Sequence, residues 1–445
     1  MKKENSIGKL FLATSLLLLI IGLIGGVFAS LSYIIPGLWK DSIGFMQLRP
    51  IHVSAIMFFI LLGGSGCVFS GLFFIDAVRI SKPIATIQFL LWVIALIGIF
   101  YSYLHNEFGG REYWEFPPIY ALPIALAWLL FIFNFFKVVL VQKSWPVYFW
   151  MWMTGLIFFL FTFFENYLWL FPYFRDHFIK DMTIQWKANG SLVGSYNQLI
   201  YGTAFFLMEK ISGDKTLAKS KLAFGMYFLG LTNLMFNWAH HIYTLPTESH
   251  IRFVGYVVSM TEWIFFAKII YNWNKTVIEV QKNFHYSPYR FLIAADVWVF
   301  LNMGLAIFMS VPALNLYTHG THVTVAHAMG STIGINTMVI LAACFEFFSG
   351  KCTTFSTRSR WLRISYWVTQ ITLLVFWLTM IVIGFKKGIW QMDKLAQPFN
   401  IMMDGMRFWF YLFVVSGSVL MVSIGIQSII LLRSYIVCLF KKELP

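Results

Sequence analysis

Apolar residues fall along this chain in long blocks. Runs near 8–30, 52–76, 85–104, 118–139, 147–171, 189–208, 222–244, 253–272, 291–311, 323–348, 364–385 and 406–432 are each about the length a helix needs to cross a bilayer. The polar stretches between them are too short for a soluble domain. The pattern predicts an all-α fold: a polytopic membrane helical bundle of about twelve transmembrane helices, with residues 1–445 forming one integral membrane domain. The first run follows Met1, Lys2 and Lys3, is long, and lacks a small-residue cleavage site, so it reads as a signal-anchor helix.

Composition agrees. Charged residues make up 12% of the chain, against about 25% in soluble domains. Trp and Tyr gather near the ends of the runs, where an interfacial belt would place them. Basic residues cluster in alternate loops: Arg79 and Lys82; Lys137 and Lys143; Lys210, Lys215, Lys219 and Lys221; Lys275, Lys282 and Arg290; Lys351, Arg358, Arg360 and Arg363; then Lys441 and Lys442. The positive-inside rule then puts both termini in the cytoplasm, with the chain in the inner (cytoplasmic) membrane. The net charge of +14 reflects this topology and contact with anionic lipid. Basic residues dispersed in this way give no support to a nucleic-acid partner. Cys67, Cys344, Cys352 and Cys438 form neither a CxxC pair nor a c-type haem attachment motif.

The histidines change the picture. His52, the pair His240 and His241, and His327 fall in apolar runs, and the alternating topology puts all four at a similar depth in the outer part of the membrane. A lone histidine there usually bonds a backbone carbonyl. Four at one depth point instead to a metal or haem, because imidazole suits iron, copper and zinc. Neighbouring His240 and His241 are about 100° apart on a regular helix, and both reach one metal if the helix end is irregular. Pro246 follows soon after, where the helix should stop. His327 and Met329 are two residues apart, a turn of about 200°, so they face opposite ways. Such a helix can stand between two haems and serve each. A methionine among twenty is more often packing.

The stretches "RPIHVSAIMFFILLGG" (49–64), "NEFGGREYWEFP" (106–117), "AHHIYTLP" (239–246), "GYVVSMTEW" (255–263) and "YTHGTHVTVAHAMG" (317–330) together resemble the catalytic subunit of nitric oxide reductase, within the haem–copper oxidase superfamily. The resemblance implies a subunit I-like fold and a set of roles. His52 would be an axial ligand of a low-spin haem b. His327 would be the proximal ligand of a second, high-spin b-type haem. His240 and His241 would hold a non-haem iron opposite that haem. Glu112 and the backbone of Gly63 would help bind a calcium near the haem propionates, and Arg111 would pair with a propionate. Glu262 would be a carboxylate near the non-haem metal.

The departures from that pattern are concentrated. The third histidine of the family's iron site is Asn189 here. The glutamates one and two turns further along the same helix face are Val193 and Asn197. The second axial histidine of the low-spin haem is Met329. Asparagine offers iron only a neutral carbonyl oxygen, and valine offers nothing. Three readings follow: a nitric oxide reductase with an altered iron site, a relative of the nitric oxide dismutases, or a non-catalytic haem protein that binds NO or dioxygen. A reductase would take electrons from a cytochrome c subunit or from quinol. Glu165, Lys268 and Glu346, also in or near the runs, read as structural pairs within the bundle.

Overall fold

The computed structural model describes residues 5–261, 263–348, 359–393 and 397–440, with Trp263 and Ile264 as backbone only. Cys352 and the basic residues Lys351, Arg358, Lys441 and Lys442 lie outside the described residues. The described chain is helical, and the only β-type pairing in it is an isolated bridge between Arg111 and Trp114.

The long helices are α1 (Ser6–Ser30), α2 (Phe45–Asp76), α3 (Lys82–Leu104), α4 (Ala121–Val139), α5 (Val147–Glu165) and α6 (Phe178–Ser212). They continue with α7 (Lys221–Phe236), α8 (Ser249–Ser259), α9 (Trp263–Thr276), α10 (Tyr286–Ser310), α11 (His322–Met329), α12 (Met338–Phe348), α13 (Arg360–Met392) and α14 (Arg407–Phe440). A π-helical stretch, Gly330–Thr337, joins α11 to α12, so His322–Phe348 forms one continuous span.

Every expected run is helical. Among the described residues, 9 helices are long and apolar enough to cross a membrane. The three expected spans outside that set are the three that depart from regular apolar helix. α6 is unbroken, but its middle carries Asn189, Ser191, Ser195, Asn197 and Gln198. The run at 222–244 is the 16-residue α7 followed by a 3-10 turn, Asn237–Ile242. The run at 253–272 is split into α8 and α9. Polar or irregular backbone at membrane depth survives only where protein or a polar cavity satisfies it. These three segments do line such a cavity.

The bundle closes around α2, whose middle is buried from Met57 to Leu72. Glycines let α1 and α2 approach: a Cβ at Gly66 would meet Leu12 at 2.8 Å and the Gly8 carbonyl oxygen at 2.9 Å. Ion pairs tie the spans at their ends. Lys187 pairs with Glu165, and Glu346 is held by Lys210 at 3.3 Å and by His285 at 2.7 Å. Glu165 and Glu346 are therefore structural pairs, as expected, and Lys268 is exposed.

Candidate functional site

A cavity of about 570 Å³ runs through the bundle, within the range of small-molecule and cofactor sites. His52, His240, His241, His327 and Met329 all line it. The histidines placed at one depth by the sequence thus open on one cavity. The cavity passes around α11, which explains how one helix shows it both His327 and Met329 from nearly opposite faces. The following π-helical stretch is a local rewinding of the kind often found at functional sites.

His52 sits at the start of the third turn of α2. Its Nδ1 lies 2.6 Å from the carbonyl oxygen of Gly22 on α1. A carbonyl only accepts, so Nδ1 carries the proton and Nε2 keeps its lone pair. This is the usual support of a metal-bound imidazole. Room for the ring comes from Gly26, where a Cβ would stand 2.7 Å from Nδ1.

His240 and His241 occupy the 3-10 turn after α7, with ring centroids 4.2 Å apart. The irregular helix end that two neighbouring ligands require is present. His240 Nδ1 lies 3.0 Å from Asn237 Oδ1. Trp186, three residues before Asn189 on α6, stacks on His241 at 5.2 Å with 7° between the planes, and it also lies 5.0 Å from His319. Asn189 is 4% exposed, and neither atom of its amide has a hydrogen-bond partner. His241 Nδ1 and His327 Nδ1 are likewise buried and unpartnered. Val193 and Asn197 continue the α6 face into the cavity, and Asn197 Oδ1 accepts from Asn336 Nδ2 at 3.0 Å.

The chemistry of the wall is distinctive. Among the described residues it contains one carboxylate, Glu112, and one guanidinium, Arg49. Arg49 also pairs with Glu115. The remainder is imidazole, amide, phenol, indole, hydroxyl, thioether and hydrocarbon. Burial pushes the Glu112 carboxyl above the ordinary carboxylate range, and Arg49 beside it offsets part of that rise. Among the described residues no three His, Cys, Asp or Glu side chains are gathered closely enough to hold a metal ion. Two adjacent imidazoles and the neutral Asn189 amide stand on the same cavity wall.

Two expected site residues fall elsewhere, and a third is not described. Arg111 is committed to Asp181, with Nη2 at 3.1 and 2.9 Å from the two carboxylate oxygens, and its guanidinium lies 5.2 Å over Trp169. The Arg111–Trp114 bridge and the left-handed backbone at Tyr113 turn this loop so that Glu112 and Tyr113 face the cavity, while Arg111 is absent from its wall. Arg49, which the sequence reading passed over, is the cation beside His52. Gly63 is also absent from the wall and packs against Ile340, 2.9 Å from where its Cβ would be. It lies fourteen residues beyond Arg49 on the same helix, about 21 Å away. The structure therefore does not bring Gly63 to Glu112. Glu262 lies outside the described residues.

Sequence reasoning also missed Asn237, Trp186 and His319. The i, i+3 spacing of Asn237 to His240, and of Trp186 to Asn189, was visible. Its meaning depended on the 3-10 turn and on which face of α6 met the histidines.

Histidines opening on one cavity in a helical membrane bundle make the kind of site that can hold a haem or a metal ion. The family described as Cytochrome C and Quinol oxidase polypeptide I matches residues 6–431, and the chain belongs to it. It is 22% identical over 446 residues to a nitric oxide reductase subunit of Stutzerimonas stutzeri, covering 93% of this chain and 92% of that one. It is 21% identical over 401 residues to cytochrome c oxidase subunit 1 of Rhodobacter capsulatus, covering 84% of this chain and 74% of that one. Among solved structures, a haem–copper terminal oxidase dimer seen by cryo-electron microscopy shares the fold, with a TM-score of 0.72, 14% identity, and coverage of 96% of this chain and 83% of that chain. The chain is thus a multi-pass membrane oxidoreductase of the respiratory type.

Proposed function

We propose that this protein acts on nitric oxide at a high-spin haem facing a non-haem metal, reducing two NO with two electrons and two protons to nitrous oxide and water. The observation that carries the reading is the meeting of His327, His240, His241 and Asn189 on a cavity that also reaches His52 and Met329. The residues fit two haems: His52 has a free Nε2 and a carbonyl-supported Nδ1, while α11 offers a ligand on each side. They fit a second metal less fully, as two imidazoles and one amide. The two haems and the metal supply electron transfer and a pair of binding positions for a diatomic gas.

The chain's own residues do the rest. Apolar side chains from α10 and α13, including Val299, Met303 and Phe376, line the cavity beside α11. His52 and Met329 would hold a haem that could take electrons from a cytochrome c subunit or from quinol. Glu112 and Arg49 are the charged groups available to haem propionates. Both termini are assigned to the cytoplasm, in the inner membrane.

A second reading has its own support. Where the reductase pattern has carboxylates, the α6 face carries Val193 and Asn197, and the described cavity wall has no carboxylate except Glu112. A face without proton-carrying groups suits a reaction that consumes no protons. Disproportionation of two NO to dinitrogen and dioxygen is such a reaction.

Metal and haem analysis of the purified protein tests the site first. Iron from two haems and no further metal would sink both catalytic readings. Labelled NO is then supplied anaerobically, with and without reductant. Nitrous oxide formed only with reductant supports the reductase. Dioxygen formed without reductant supports the dismutase. Binding without turnover leaves a gas-binding haem protein.

A further inference from the structure

We propose that Asn237 is the positioning residue of His240: its amide carbonyl holds the proton on Nδ1 and so directs the Nε2 lone pair into the cavity. This rests on the reading of His240 as a metal ligand.

The local fold places the two residues. Asn237 and His240 are the first and fourth residues of the 3-10 turn Asn237–Ile242, and a 3-10 helix eclipses side chains three apart. The amide therefore lies directly against the ring, with Oδ1 3.0 Å from Nδ1. His240 is 7% exposed.

A second residue meets the same amide, with one hydroxyl proton to share between that oxygen and a helix carbonyl. Ser259, the last residue of α8, hydrogen-bonds with the same Oδ1, and its hydroxyl also lies 2.7 Å from the Gly255 carbonyl oxygen. α8 reaches the turn because Gly255 has no side chain: a Cβ there would stand 2.7 Å from the Ala239 methyl. The His240 backbone is held independently by Asn315, whose Nδ2 donates to the His240 carbonyl oxygen at 3.2 Å.

The chemistry turns on amide orientation. A carbonyl oxygen against Nδ1 accepts the ring proton and leaves Nε2 free. An amide nitrogen in that place would donate to Nδ1, forcing the proton onto Nε2 and blocking it as a ligand. Outer partners of this kind commonly set metal affinity by about 10–100-fold.

The test uses full-length, haem-loaded protein with selectively 15N-labelled histidine. Wild type, Asn237→Leu, Asn237→Asp and Ser259→Ala are compared by solid-state NMR and by metal titration. Leucine keeps the bulk and removes the acceptor; aspartate keeps only acceptors. The expected result is one histidine losing its protonated-Nδ1 signature in Asn237→Leu and regaining it in Asn237→Asp. Metal affinity falls about 10–100-fold in the leucine variant alone, and haem absorption stays unchanged in all. A histidine nitrogen spectrum identical in wild type and Asn237→Leu overturns the proposal, whatever the metal content. If the spectrum changes as expected but wild type binds no metal beyond haem iron, Asn237 still positions the ring, and it is the metal-ligand reading of His240 that fails.

Discussion

The imidazole of His52 is fixed from the neighbouring helix: its Nδ1 donates to the Gly22 carbonyl oxygen across 2.6 Å. α1 contributes no side chain to that bond. It contributes a carbonyl and, through Gly26, the space in which the ring lies.

Gly26→Ala should therefore disturb haem binding. The added methyl would stand 2.7 Å from Nδ1 and 2.8 Å from Cε1, so the ring must turn. Overpacking of this kind costs about 1–3 kcal/mol. Visible absorption and electron paramagnetic resonance should show the low-spin haem weakened or shifted. Gly25→Ala is the control, because its methyl would meet His52 no closer than 3.5 Å. Equal effects from the two changes would rule out the ring-space explanation.

Met329→His tests the other side of the same haem. Bis-histidine ligation lowers the potential relative to His/Met, within the roughly 0.8 V range that axial ligands span. Redox titration should show the low-spin haem potential falling, and any methionine–iron charge-transfer band should vanish. An unchanged spectrum would mean that Met329 is packing.

Asn189→His restores an imidazole to the α6 face opposite His240 and His241. The Asn189 amide is unpartnered, so its replacement breaks no hydrogen bond. Metal analysis should show tighter retention of one non-haem metal per chain. If the variant holds no more metal than wild type, the face is not a ligand position.

Glu112 makes stability depend on pH. Its carboxyl lies above the ordinary value because it is buried. Between the ordinary value and the raised one, the folded protein keeps a proton that the unfolded chain releases. Stability therefore falls as pH rises through that window. Thermal unfolding of Glu112→Gln across mildly acidic pH should lack that slope. An identical slope in wild type and variant would place its origin in another group.

Much of this protein was legible in its sequence. Apolar runs of bilayer length fix helices because backbone groups in lipid must be satisfied within their own segment. The histidines stood out because polar groups in that setting are costly. Alternating topology brought His52, His240, His241 and His327 to one depth before any contact was known, and the substitutions at Asn189, Val193, Asn197 and Met329 needed only comparison with a family pattern. Tertiary structure decided what spacing alone could not. A loop bridge sent Arg111 to Asp181 and left Arg49 beside His52. Helix rise carried Gly63 about 21 Å from Arg49. A 3-10 turn, not a continued α-helix, set Asn237 under His240. The Arg111 contact depends on how neighbouring segments meet, which helical periodicity within one segment does not give; the other two follow from helix rise and from a local 3-10 winding.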